Sequence, residues 1–178
     1  MLHRTWVGVA IVLVLAGCSK APERAAEKMI ESQIAGEGAK AKVDMSAGGV
    51  KITSTDASGK STQFEMGSAQ VTESDIGVPF YPGTKPREGE SSKMAAADST
   101  MFTVMLHADD APDKVAAFYR DQLRGRAQGK QFLETSADGS HTLMLSDDQT
   151  KSVTQVMVAR GQEKGSDIQI VASRSVAK

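Results

Sequence analysis

Apolar and polar positions change rhythm several times along this chain, and each rhythm predicts an element. Trp6 to Leu15 is an apolar run broken only by Gly8, with His3 and Arg4 before it. From Ala26 the pattern turns helical. Ala26, Met29, Ile30, Gln33 and Ile34 recur on one side, with Glu23, Arg24, Glu27, Lys28 and Glu31 largely elsewhere. That spacing predicts a short amphipathic helix, with Pro22 in its first turn and Gly36 and Gly38 ending it. Its apolar stripe is expected to dock on the rest of the domain. Strict alternation follows. Ala41, Val43 and Met45 alternate with Lys40, Lys42 and Asp44; Val50 and Ile52 with Lys51 and Thr53; Thr62, Phe64 and Met66 with Gln63 and Glu65. Gly48-Gly49 and Asp56 to Gly59 are the turns. Period two with glycine turns predicts a small β-meander that buries one face.

Residues 74–100 lose periodicity. Val78-Pro79-Phe80-Tyr81-Pro82-Gly83-Thr84-Lys85-Pro86 carries turn chemistry, and Arg87 to Asp98 is polar and rich in Ser and Ala. The latter reads as a loop, or as a strand leading in from Thr84. Met101 to His107 is apolar on both sides, with Phe102, Val104 and Leu106 on one and Met101 and Met105 on the other. This predicts a strand buried on two faces. Asp110-Ala111-Pro112-Asp113 reads as a helix start with Asp110 as N-cap. Val115, Phe118, Tyr119, Gln122 and Leu123 form its stripe, and Gly125 its end. Four more strands are expected near 131–135, 141–146, 152–160 and 167–173. The order predicts an α+β fold: an antiparallel sheet with one helix packed on a face (β-α-β-β-β-β), preceded by a short helix and a small β-meander.

The resulting division is a signal peptide at 1–17, a lipidated tether at 18–24, a helix-plus-meander subdomain at 25–75, a Pro-containing loop or linker at 76–100, and an α+β core at 101–178. The signal reading rests on the positive start, the short apolar run and the small residues after it. The run is shorter than the roughly 20 apolar residues a membrane-spanning helix needs. Leu15-Ala16-Gly17-Cys18 closes it and resembles the lipobox of bacterial lipoproteins. The resemblance implies cleavage between Gly17 and Cys18, with acyl chains attached to Cys18. Stable anchoring takes more than one acyl chain, which a multiply acylated Cys18 supplies. Ser19 resembles the default for export to the outer membrane, facing the periplasm. Cys18 is the only cysteine, so the domain has neither a disulfide nor a cysteine metal site.

A second resemblance concerns architecture. Val78-Pro79-Phe80-Tyr81-Pro82-Gly83-Thr84-Lys85 and Asp110-Ala111-Pro112-Asp113-Lys114-Val115-Ala116-Ala117-Phe118-Tyr119 are similar to a V-P-x-Y-P-G-x-K turn and a D-x-P-x-K-V-x-x-F-Y helix. Both motifs occur in a family of uncharacterised secreted bacterial proteins and lipoproteins. The resemblance spans roughly residues 78–173 and implies no activity.

Charge narrows the partners. The chain has 21 Lys+Arg against 22 Asp+Glu, and removal of the signal takes only Arg4. That balance argues against nucleic acid. Lys114, Arg120, Arg124, Arg126 and Lys130 form one local basic excess, part of which complements a helix C-terminus. No zinc motif, nucleophile elbow, calcium loop or phosphate loop is present. His107 and His141 sit at strand ends, and Asp109-Asp110 and Asp147-Asp148 are explained by a helix start and a turn. No catalytic, metal or cofactor residues are assigned, and no enzyme activity is expected. The function expected is that of a membrane-anchored, non-catalytic binding or scaffolding domain of the cell envelope. Its partners would be an envelope protein or an anionic polymer, met through the exposed sheet face, Phe80 and Tyr81 of the proline loop, and Arg120, Arg124 and Arg126. The alternatives are an apolar small-ligand protein, with its pocket between the 110–124 helix and the sheet, and a hydrolase without a recognisable motif.

Overall fold

The alternating segments all become strands, and every neighbouring pair is antiparallel. The computed structural model describes residues 21–34, 40–45, 48–162 and 164–176; Gly17, Cys18 and the Gly36 and Gly38 helix stop lie outside them. The elements are α1 (Ala21–Ile34), β1 (Lys40–Asp44), β2 (Val50–Thr55), β3 (Ser61–Met66), α2 (Glu73–Ile76), β4 (Ser92–Ala95), β5 (Ser99–Ala108), α3 (Pro112–Arg124), β6 (Gln131–Ala137), β7 (Ser140–Asp147), β8 (Ser152–Arg160) and β9 (Ser166–Ser175). The fold is α+β, with one nine-stranded sheet in the order β1-β2-β3-β4-β5-β9-β8-β7-β6.

β4 joins the meander to the rest. It lies in the stretch expected to be irregular, and it pairs with β3 through Phe64–Met94 and with β5 through Met94–Met101. Four residues are too few for a periodic signal; the strand exists because a neighbour on each side supplies its backbone partners. β1 is an edge, and an edge strand exposes unpaired N–H groups. Here Glu31 accepts from Val43 N at 2.8 Å and Glu27 from Met45 N at 2.9 Å. Spaced one helical turn apart, the two carboxylates make α1 a cover for that edge. Met29, expected within the docking stripe, stays 65% exposed.

The main core lies on one side of the sheet, and on the other side Val43 of β1 is buried beside α1. β5 buries Phe102, Val104, Leu106 and Ala108, β9 buries Ile168, Ile170 and Ala172, and α3 closes over them with Val115, Ala116, Tyr119 and Leu123. The expectation that β5 is buried on both faces is corrected: Met101 and Met105 face away from this layer, where no second layer packs. The expected Asp110 cap is corrected too. Ala111 is the N-cap, with no side-chain cap bond, because Asp110 turns to accept from Tyr81 Oη at 2.7 Å and Lys114 Nζ at 2.9 Å. α2 has its own start. Thr72 and Asp75 form a capping box, and Gly77 at φ 74° closes the C-terminus. Tyr119 is fully buried with its ring edge-on to Phe118, and among the described residues its hydroxyl makes no hydrogen bond of full geometry, with the Tyr81 backbone N–H as its polar neighbour.

Candidate functional site

The uncovered side of the sheet has an unusual composition. The strand registers align its positions in rows: Leu133, Met144, Gln155, Val171 and Thr103 form one, and Thr135, Thr142, Met157, Gln169 and Met105 the next. Across the β3–β4–β5 junction the rows continue through Phe64, Met94 and Met101, and through Met66, Ser92 and Thr103. Six of the nine methionines lie on this face: Met66, Met94, Met101, Met105, Met144 and Met157. Among the described strand positions here, Asp167 is the only Asp, Glu, Lys or Arg. The charges of these strands, such as Lys42, Lys51, Glu65, Lys93, Glu134 and Arg174, point to the other side. Met66 at 46%, Met101 at 36% and Leu133 at 56% are well exposed.

One end of this face is polar. His107 and Asp167 are direct cross-strand partners, with Nδ1 and Oδ1 2.9 Å apart. Arg87 donates Nη2 to the same oxygen at 2.6 Å, and its Nη1 lies 3.6 Å from Glu90. With Gln162 these residues line an open cleft of about 560 Å³. Among the described residues, neither hydroxyl nor thiol lines it. Its internal pairing marks it as a clasp that ties the 87–90 segment to β5 and β9.

His141 has the partners a hydrolase would need but not their setting. Ser136 Oγ lies 2.8 Å from His141 Nδ1, and Asp113 Oδ1 lies 2.9 Å from Nε2. A working triad presents an accessible hydroxyl to a reacting carbonyl beside oxyanion donors. Here the imidazole is 10% exposed and the carboxylate 92%, and the chain links α3 to the β6–β7 hairpin as a strut. The apolar-ligand alternative finds the α3–sheet interface closed, since Val115, Ala116, Tyr119 and Leu123 have no exposed surface.

The expected contact residues are dispersed. Tyr81 is buried at 7% exposure and stacks edge-on against Phe118, and Phe80 packs partly buried against the core. Tyr81 therefore faces inward with Phe80 half-covered, while Pro82, Gly83, Lys85 and Pro86 of the same turn stay exposed. Arg120 is held by both oxygens of Glu134, at 2.9 Å from Nε. That ion pair keeps the Glu134 carboxyl below the usual range, and Arg120 is raised in turn. Arg124 lies over the Phe132 ring at 5.3 Å. Arg126 leaves this group and donates to Gly77 O at 2.8 Å. There it meets Lys130 and Arg174 around a second, smaller cleft. Sequence reasoning missed Arg87, Asp167 and Arg174, which are scattered through the chain and carry no motif.

Among the described residues no group of His, Asp and Glu is arranged to hold a metal ion, and no helix is long and apolar enough to cross a membrane. No protein-family model matches the chain, nor does a curated protein or a solved structure.

Proposed function

We propose that this chain is a bacterial envelope lipoprotein, cut between Gly17 and Cys18, held by acyl chains on Cys18 and facing the periplasm from the outer membrane. Its domain works by binding, and the uncovered sheet face is the binding surface. The β5-α3-β6-β7-β8-β9 unit is read as the scaffold, with α1 and the meander appended to widen that face. The observation that supports binding is a sheet face whose described strand positions hold one carboxylate and six methionines, bare except at β1, where Val43 is buried beside α1. Methionine is a flexible apolar filler that adapts to partners, and Met66, Met101 and Leu133 stand exposed on this face.

The occupant we assign is an envelope protein that presents an uncharged, apolar surface. An anionic polymer or lipid headgroup needs free cations; no described strand position of this face is Lys or Arg, and Arg87 at its polar end is already paired with Asp167 and Glu90. Strand spacing of ~4.8 Å and a rise of ~3.4 Å over about seven residues give the nine strands a face of roughly 1,000 Å². A stable protein interface buries about 800 Å² per partner, so the face suffices.

The anchor and the face are tested separately. Cells fed a labelled lipid precursor should label the wild-type chain and not Cys18→Ser; a labelled variant removes the anchor. For the face, a photo-crosslinking residue replaces Met101, and a control replaces exposed Asp138. The expected result is one envelope-protein adduct at position 101, absent from the control and lost when Leu133 is also changed to Lys. An adduct of two copies of this chain replaces the assigned partner with self-association, and identical products at both positions overturn the reading.

A further inference from the structure

The second cleft lies where α2 ends over the strand ends of β8 and β9. Its carbonyls are already satisfied: Arg174 Nη2 donates to Ser74 O at 2.5 Å, Thr154 Oγ1 to Ile76 O at 3.3 Å, and Arg126 Nη1 to Gly77 O at 2.8 Å. These bonds fix the guanidinium groups with one N–H each, and a guanidinium has five. Lys130 Nζ stands 3.6 Å from Asp147 Oδ2. The Asp147 carboxylate is also held by Gln149 N at 2.9 Å and Thr150 N at 3.1 Å. Between them lies a cleft of about 160 Å³, which the hydroxyl residues Ser152, Thr154 and Ser173 also line.

Capping a four-residue helix does not require this set. Three cations line the cleft with one carboxylate, Asp147, and Asp75 lies within electrostatic reach of Arg174, so the cleft keeps a positive balance in a chain of net charge −1. A guanidinium fork serves carboxylate and phosphate alike, but here cations and hydroxyls converge from several elements, an arrangement that can meet the spread oxygens of a tetrahedral oxyanion. The volume equals about five waters at ~30 Å³ each, enough for one such group with a little solvent.

We propose that this cleft binds a phosphoryl anion, with Arg126, Arg174 and Lys130 as its charged ligands. The site stands independently of the docking face, and two sources fit its chemistry: free phosphate and the phosphodiester of a lipid headgroup. Membrane anchoring, where present, brings the second within reach, but the cleft does not depend on it.

The test uses the full chain in neutral-detergent micelles, followed by amide and arginine side-chain NMR. Inorganic phosphate should give saturable shifts centred on Gly77, Ser152, Ser173 and the Arg126 and Arg174 Nε–H groups, with Kd of ~1 mM or tighter. Lys130→Gln leaves all three α2 bonds intact and should weaken binding about tenfold, or ~1.4 kcal/mol. Arg126→Gln should weaken it further, with retained β5–β9 amide shifts as its folding check. Doping the micelles with phosphatidylglycerol separates the sources. Shifts at the same amides identify the headgroup as a ligand, and shifts with inorganic phosphate alone identify the free anion. Equal shifts with chloride at matched ionic strength, or undiminished binding by Lys130→Gln, overturn the proposal.

Discussion

His107 and Asp167 face each other across β5 and β9 with 2.9 Å between Nδ1 and Oδ1, and that one carboxylate also receives Arg87 at 2.6 Å. Two donors converge on a single oxygen at the only charged strand position of an otherwise neutral face. Asp167→Asn keeps the shape and removes the charge, leaving Arg87 with Glu90 alone. The expected loss is about 1–2 kcal/mol, read as a lower urea midpoint at unchanged m-value. A loss within error would show that the clasp contributes nothing to folding.

Charge placed on the neutral face should separate binding from folding. Met101 and Leu133 are exposed, so Met101→Lys and Leu133→Lys should each change stability by no more than about 0.5 kcal/mol. Partner binding should fall at least tenfold, since a buried, unpaired ammonium is costly in an interface. Thermal melts of the variants and the amount of envelope partner each retains after purification check both halves. Undiminished partner retention by the double variant would move the binding surface elsewhere.

The Arg120–Glu134 pair sets an acid limit. Arg120 holds Glu134 below its ordinary range, so the pair's contribution is fully present above the unfolded glutamate pKa of about 4.3. It is lost as pH falls through the lower folded value. Arg120→Gln should cost about 1–3 kcal/mol at neutral pH and flatten the decline of stability toward acid. Carboxyl-carbon NMR of Glu134 should show its titration moving upward in the variant; an unmoved titration would rule out Arg120 as the cause.

Tyr119 offers the opposite sign. Its hydroxyl is buried and, among the described residues, has the Tyr81 backbone N–H beside it but no hydrogen bond of full geometry, and burial raises its pKa, keeping it neutral. A buried, unsatisfied polar group costs about 1–3 kcal/mol. Tyr119→Phe keeps the ring contact with Phe118 and should raise stability by about 1 kcal/mol, visible as a higher Tm. A fall of similar size would mean that the hydroxyl is satisfied after all.

Local chemistry was legible in the sequence. Alternation located eight of the nine strands, and Val115, Tyr119 and Leu123 marked the face of α3 that is buried. β4 was not legible, because a four-residue strand acquires its identity from neighbours on both sides. The inward turn of Tyr81 was not legible for a related reason. A turn signal reports backbone conformation, and the inward direction of Tyr81 depends on Asp110, 29 residues away.

The sequence by itself determined which side chains share a strand face, because the period of two leaves no other choice. It also carries Leu15-Ala16-Gly17-Cys18, a local pattern that needs no fold. Only the tertiary structure decided which face α2 and α3 cover and which stays bare. It also brought Arg87 to Asp167 over 80 residues, and Arg126 and Arg174 to the ends of α2. Such contacts are set by where the layers pack, and no local pattern records the distance that packing closes.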